Sequence, residues 1–261
     1  MSRRHLSFAC QGARLAATLD EAPGTTGLLI VTGGNETRAG AFGGQAELAA
    51  RIAATGFPVF RFDRRGVGDS EGENTGFRHS APDISAALAA FRREAPQLTR
   101  IAGFGNCDAA SALMLSAGAG LDALALANPW TIEGAHTAPP PAALRARYSA
   151  KLHNPKELWR LLTGGVSLRK LAGGIRHALR PAPAPSGLAE EVAAGLARFA
   201  GNSTILLAGR DRTAQVFAAN WDAADPRLRH CTGASHAFAE AEAREWLFGE
   251  LIPILEGLAS G

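Results

Sequence analysis

Arg100-Ile-Ala-Gly-Phe-Gly-Asn-Cys-Asp-Ala-Ala-Ser111 runs from an apolar stretch through a turn into an alanine-rich stretch. Small residues two before and two after Cys107 let a sharp, strained backbone lift one side chain above a sheet and open a helix at once. The turn is Gly105-Asn106-Cys107-Asp108-Ala109, and Cys107 is the lifted side chain. A cysteine at an apolar strand–helix junction also reads as inert packing. Five residues do not separate the two readings; the order of elements around them does.

Outward from this turn, short apolar runs alternate with alanine-rich helical stretches, the pattern of a mostly parallel sheet flanked by helices. Residues 5–10 and 14–19 read as an edge hairpin. They are followed by strands at 27–31, 58–62, 100–104, 123–127, 204–208 and 228–231. Several are continuous rather than alternating, as strands covered on both faces should be. Helices are predicted at 45–54, 82–94, 107–117, 188–199, 214–223 and 239–258, with Ser80, Pro82 and Asp83 marking one helix start. The fold class is therefore α/β, with an eight-stranded sheet.

The alternation breaks once, between Pro129 and Pro185. Pro139-Pro140-Pro141 and the run from Pro181 to Pro185 enclose helical pieces near 155–162 and 167–179. The expected organisation is a core of residues 1–128 and 186–261 with a helical lid at 129–185. Charge sets this lid apart: residues 145–180 hold nine basic side chains against Glu157 alone. That segment carries +8 in a chain of formal charge +3, so the remainder carries −5. Its amphipathic pieces read as a solvated face, or as a surface for an acidic acyl donor. Contact with an anionic membrane is a further use of such a stretch. No nucleic-acid partner is expected.

At 261 residues and 46% hydrophobic, the chain is long enough to bury one full α/β core. The first twenty residues hold Arg3, Arg4, His5 and Arg14 but no apolar run of signal-peptide length, so a cytoplasmic location is expected. Cys10, Cys107 and Cys231 are odd in number and lack metal-type spacing, so they read as free thiols. No motif asks for a metal, flavin or nicotinamide. The loop Val31-Thr-Gly-Gly-Asn35 lacks the Gly-Lys-Ser/Thr ending of a phosphate cradle, and no cofactor is expected.

A cysteine nucleophile needs its thiolate, and a helix N-terminus at the sulfur is one source of ionisation. His236 follows the last predicted strand, in Thr232-Gly-Ala-Ser-His236, where a loop can swing an imidazole over the turn. Asp211 follows the preceding strand and could hold that imidazole's tautomer. Alone, Asp211 also reads as a helix cap and His236 as a solvated loop residue. Together with Cys107 they give the order nucleophile, acid, histidine, each residue following a candidate strand. Oxyanion donors would be the backbone N–H of Asp108 and that of Gly34 or Asn35. Arg38 and Trp130 are candidates to line a substrate pocket.

Arg61-Phe-Asp-Arg-Arg-Gly-Val-Gly-Asp-Ser70 completes a resemblance: Asp63, Arg65, Gly66, Gly68 and Ser70 match the Asp-x-Arg-Gly-x-Gly-x-Ser signature of the α/β-hydrolase superfamily. In that family the stretch is structural. The chain further resembles the type 1 hydrolases associated with exosortase A and exopolysaccharide gene clusters. The similar stretches are Phe57–Asp63, Cys107–Ser111, Asn128-Pro-Trp130, Lys151–Pro155 and Thr213–Phe217. That resemblance implies a Cys-His-Asp hydrolase acting on an ester or thioester. An acyltransferase on the same scaffold, or a binding subunit that keeps the fold without activity, is the alternative. Two stretches depart from the expected form, Phe104-Gly105-Asn106 and Arg210-Asp211-Arg212. Arginines turned inward would weaken the hold of Asp211 on His236.

Overall fold

The computed structural model describes residues 2–133 and 187–260. Its centre is a sheet of strands β1 (Arg3–Cys10), β2 (Ala13–Asp20), β3 (Thr26–Val31), β4 (Val59–Phe62), β5 (Arg100–Asn106), β6 (Ala123–Ala127), β7 (Asn202–Ala208) and β8 (Leu228–Cys231). Their spatial order is β1-β2-β4-β3-β5-β6-β7-β8. The β1–β2 hairpin and the β2–β4 pair are antiparallel; every later pairing is parallel. All residues of β3, β4 and β6 are buried, and these strands are apolar but for Thr26 and for Arg61, which pairs with buried Asp20 at 3.1 Å.

Helices α1 (Gly44–Ala54), α2 (Ala81–Glu94), α3 (Asp108–Leu115), α4 (Gly187–Ala197), α5 (Arg212–Ala219) and α6 (Ala241–Ala259) cover the sheet. Alternate residues of β3 face opposite sides: Leu29 and Val31 join a core with Phe91, Leu113 and Leu196, whereas Leu28 and Ile30 join Ile52, Leu247 and Leu251. Thus α2, α3 and α4 pack on one face, α1 and α6 on the other. Among the described residues, no helix is long and apolar enough to cross a membrane. The lid expected at 129–185 lies, beyond residue 133, outside the described residues.

The chain leaves β3 for β4 on one side, then returns to β5 on the other. Strand order reverses there, and loops leaving β3 and β5 diverge around a crevice at the carboxyl ends of the strands, where ligands settle in open α/β sheets. The motif after β4 closes one wall. Asp63 is fully buried, accepts hydrogen bonds from the N–H of Arg38 at 2.5 Å and of Asp69 at 3.1 Å, and its carbonyl accepts from Ser70 Oγ at 2.7 Å. Arg65 turns away to Asp83, with Nε 2.5 Å from Oδ1. These residues shape the loop, as the signature's structural role implies.

Candidate active site

Cys107 has φ 63° and ψ −127°, outside the regions open to most side chains, a conformation that costs about 1–3 kcal/mol and persists only where its surroundings enforce it. Here they do. Its N–H donates to the Ala127 carbonyl on β6 at 2.9 Å, and its carbonyl accepts from the N–H groups of Ser111 and Trp130, each at 3.3 Å. A Cβ at Gly105 would stand 2.8 Å from the backbone of Ala109 and Ala110, so the helix can begin this abruptly only over glycine. Likewise a Cβ at Gly33 would stand 2.6 Å from the Asn106 carbonyl, which lets the β3 loop approach the turn.

Asp211 and His236 arrive from the ends of β7 and β8. Asp211 is 8% exposed, and its Oδ2 accepts from Ala214 N–H and from His236 Nδ1, each at 3.0 Å. Helix cap and histidine partner are therefore one carboxylate. On its other side the imidazole of His236 hydrogen-bonds Cys107. The hydrogen bonds from Asp211 and then Cys107, reinforced by their charge and only partly offset by burial, push His236 up to about 10. Arg210 points away, its Nη1 3.2 Å from Glu240 Oε1, and that same carboxylate accepts from Ser235 N–H at 3.0 Å, bracing the histidine loop.

Two amides not assigned a role from sequence tie this loop to the sheet. Asn106 Nδ2 donates to the His236 carbonyl at 3.0 Å. Asn128 Nδ2 donates to the same carbonyl at 3.2 Å and to Asn106 Oδ1 at 2.9 Å, while its own Oδ1 accepts from Ala208 N–H at 2.8 Å. Asn128 is fully buried at φ 45°, a left-handed conformation that asparagine tolerates better than most residues. The available signal was the polar Asn128-Pro-Trp130 stretch directly after an apolar strand.

Other expected residues fall differently. Gly34 N–H is engaged, donating to Asp108 Oδ1 at 2.7 Å, and Arg64 Nη2 reaches the Gly34 carbonyl at 2.6 Å. The Asp108 carboxylate thus occupies the donor that the sequence offered to an oxyanion. Asp108 N–H opens α3, whose first-turn donors have no intrahelical acceptor. Arg38 is held by structural partners: its guanidinium pairs with Asp63, donates to Thr18 Oγ1 at 3.1 Å and pairs with Asp69 at 2.9 Å, tying the β3 loop to β2 and the loop after β4. Trp130 is half-buried beside the turn, packed on the face that carries α3, and its carbonyl accepts from Ser111 Oγ at 2.7 Å. Asn35 is exposed on the β3 loop, its Oδ1 accepting from Asn74 Nδ2 at 3.0 Å.

An eight-stranded, mostly parallel sheet with this strand order, flanking helices and a sharp turn after β5 defines an α/β hydrolase. The Hydrolase_4 family, described as serine aminopeptidase, S33, matches residues 26–171, and the chain belongs to it. No curated protein matches the sequence. Among solved structures, the esterase Pf2001 of Pyrococcus furiosus has a TM-score of 0.59 at 14% identity, covering 98% of this chain and 90% of that one. Est1E of Butyrivibrio proteoclasticus, solved with ferulic acid bound, has a TM-score of 0.60 at 14% identity over 97% and 99% of the two chains. A thioesterase domain from the curacin biosynthetic pathway gives 0.56 at 12% identity over 97% and 100%. At such identities these likenesses speak for the fold. The family's description names serine; position 107 is cysteine.

Proposed function

We propose that the protein hydrolyses an ester or thioester through an acyl-cysteine formed on Cys107. The observation that carries this reading is the hydrogen-bonded line Cys107, His236, Asp211 at a strained turn facing the crevice. With the proton already on His236, the sulfur attacks the acyl carbon, the bond to the leaving group breaks, and His236 gives that group its proton. His236 then takes a proton from water, whose oxygen attacks the acyl carbon; the acid departs and the Cys107 sulfur is released. Asp211 keeps Nε2 of the imidazole toward the sulfur by holding Nδ1. The backbone N–H of Asp108 is the oxyanion donor this site offers most directly.

A thiolate nucleophile suits thioesters and activated esters, because expelling an unactivated alkoxide competes with return of the better thiolate leaving group. The basic residues at 145–180 favour an acidic or carrier-bound acyl donor. The stretches shared with exosortase-associated type 1 hydrolases support a link to exopolysaccharide or exosortase systems, with the 129–185 segment as a lid. The testing experiment is intact-protein mass after brief exposure to acyl thioesters and activated esters of several chain lengths. A transient adduct that maps to Cys107, is absent in Cys107→Ala and fails to form or to clear in His236→Ala is the expected result. Turnover to a transferred product only when an alcohol or amine is added would make it an acyltransferase. No adduct and no turnover would move the protein to the binding-subunit class.

A further inference from the structure

A cavity of about 370 Å3 lies where α1 and α6 meet the crevice, a volume in the range of small-molecule sites. Leu48, Phe104, Phe238 and Leu247 make it apolar, and all four belong to the core on the α1 and α6 face of the sheet. Toward the catalytic line it is bordered by Asn106, one residue before Cys107, and by Ala237, one residue after His236. Trp130 packs on the opposite face. The turn at Cys107 thus has a separate space on the histidine side.

The cavity wall holds a buried acceptor in want of a donor. Gln45 lines it, and its Oε1 is buried with no hydrogen-bond partner among the described residues. Its Nε2 reaches Glu36 Oε2 only at 3.4 Å. Glu36 also lines the cavity, and burial, seconded by the charge of Asp108 against that of His236, pushes its carboxyl up. A buried acceptor is satisfied in nearly all native structures, by protein, water or ligand. At the rim, Phe42 is 94% exposed with φ 54°, an aromatic ring held out in solvent in a left-handed conformation.

We infer that this cavity holds the leaving group of the substrate, and that this group carries an N–H or O–H donor on a short apolar stem, as an amide-bearing thiol or alcohol does. The inference rests on the acyl-cysteine reading, in which His236 hands its proton to the departing atom. That atom must therefore face the histidine loop, where the cavity begins. Gln45 Oε1 then accepts from the donor.

The test compares S-acetyl-N-acetylcysteamine with the ketone analogue in which a CH2 replaces its N–H. The wild-type protein should acetylate Cys107 with a kcat/KM about tenfold higher for the amide, the range of one net hydrogen bond. Gln45→Leu should bring that ratio to about one. Phe42→Ala, which alters an exposed ring, should raise KM for both compounds and leave their ratio unchanged. In parallel, saturation-transfer NMR with Cys107→Ala, which cannot turn over, should show the amide bound more tightly than the ketone, and this preference should vanish on adding Gln45→Leu. Acetylation of Cys107 at equal rates, with no preference in the binding experiment, overturns the cavity assignment and leaves the acyl-cysteine intact. A binding preference without any acetylation leaves a donor-reading cavity but overturns its assignment to a leaving group, together with the acyl-cysteine.

Discussion

At the scale of single residues, chemistry separates the cysteines. Cys10 is buried, its Sγ donates to Asp83 Oδ1 at 3.3 Å, and burial followed by Asp83 pushes its thiol up to about 11. Cys107 instead faces an imidazole held in its charged form. The His236 value of about 10, against an ordinary 6.5, fixes the sign of a pH effect. Because the folded state binds this proton more tightly, the associated stability is complete below about pH 6.5 and is lost as pH rises through about 10. The His236 ring-proton NMR signal should titrate well above the ordinary histidine range, and Asp211→Asn should bring the midpoint down. Denaturant midpoints should fall between pH 8 and 10 in the wild type and fall less in His236→Gln. Asp211→Asn should also slow acylation, by up to about 10^4, because the amide no longer holds and stabilises the protonated imidazole; rapid-quench mass measurement reads it.

At the scale of elements, periodicity located every strand to within two residues, the central parallel strands by their buried apolar runs and the edge strands by their place in the alternation. Helix ends were less legible because side chains set them. Ser116 Oγ donates to the Ala112 carbonyl at 2.8 Å as α3 finishes at Leu115, short of the 117 expected. Asp211 caps α5, which therefore begins at Arg212 and stops at Ala219 rather than running 214–223. Ser80 precedes α2, yet its hydroxyl donates back to the Phe77 carbonyl at 2.8 Å and caps nothing. The order of Cys107, Asp211 and His236 was readable because each follows a strand. The Asn106 and Asn128 amides were not, because only the pairing of β5 with β6 brings them together. Asn128→Leu should cost about 2–4 kcal/mol, since it leaves the Ala208 N–H and Asn106 Oδ1 without the partners that Asn128 supplies. Thermal unfolding measures that loss, and acylation of Cys107 should slow further than the stability loss accounts for.

At the scale of the whole molecule, charge is divided: the 145–180 segment is basic, and the rest of the chain is acidic on balance. Long-range attraction from such a segment acts on approach and is screened by salt. Replacing Arg169, Lys170 and Arg176 together by glutamine should raise KM several-fold for an acidic thioester while leaving that for a neutral one in place, and added salt should narrow the wild-type difference. Equal responses would remove charge from the account of specificity.

The strained turn carries sulfur where its family is described by a hydroxyl, and this decides which reagents can find the protein. Fluorophosphonate probes, which label activated serine hydrolases in whole proteomes, have no target at position 107. A soft electrophile such as iodoacetamide does. If Cys107 is the nucleophile proposed above, an inventory of hydrolases drawn up with the first kind of reagent would pass this chain over, and one drawn up with the second would file it among reactive thiols.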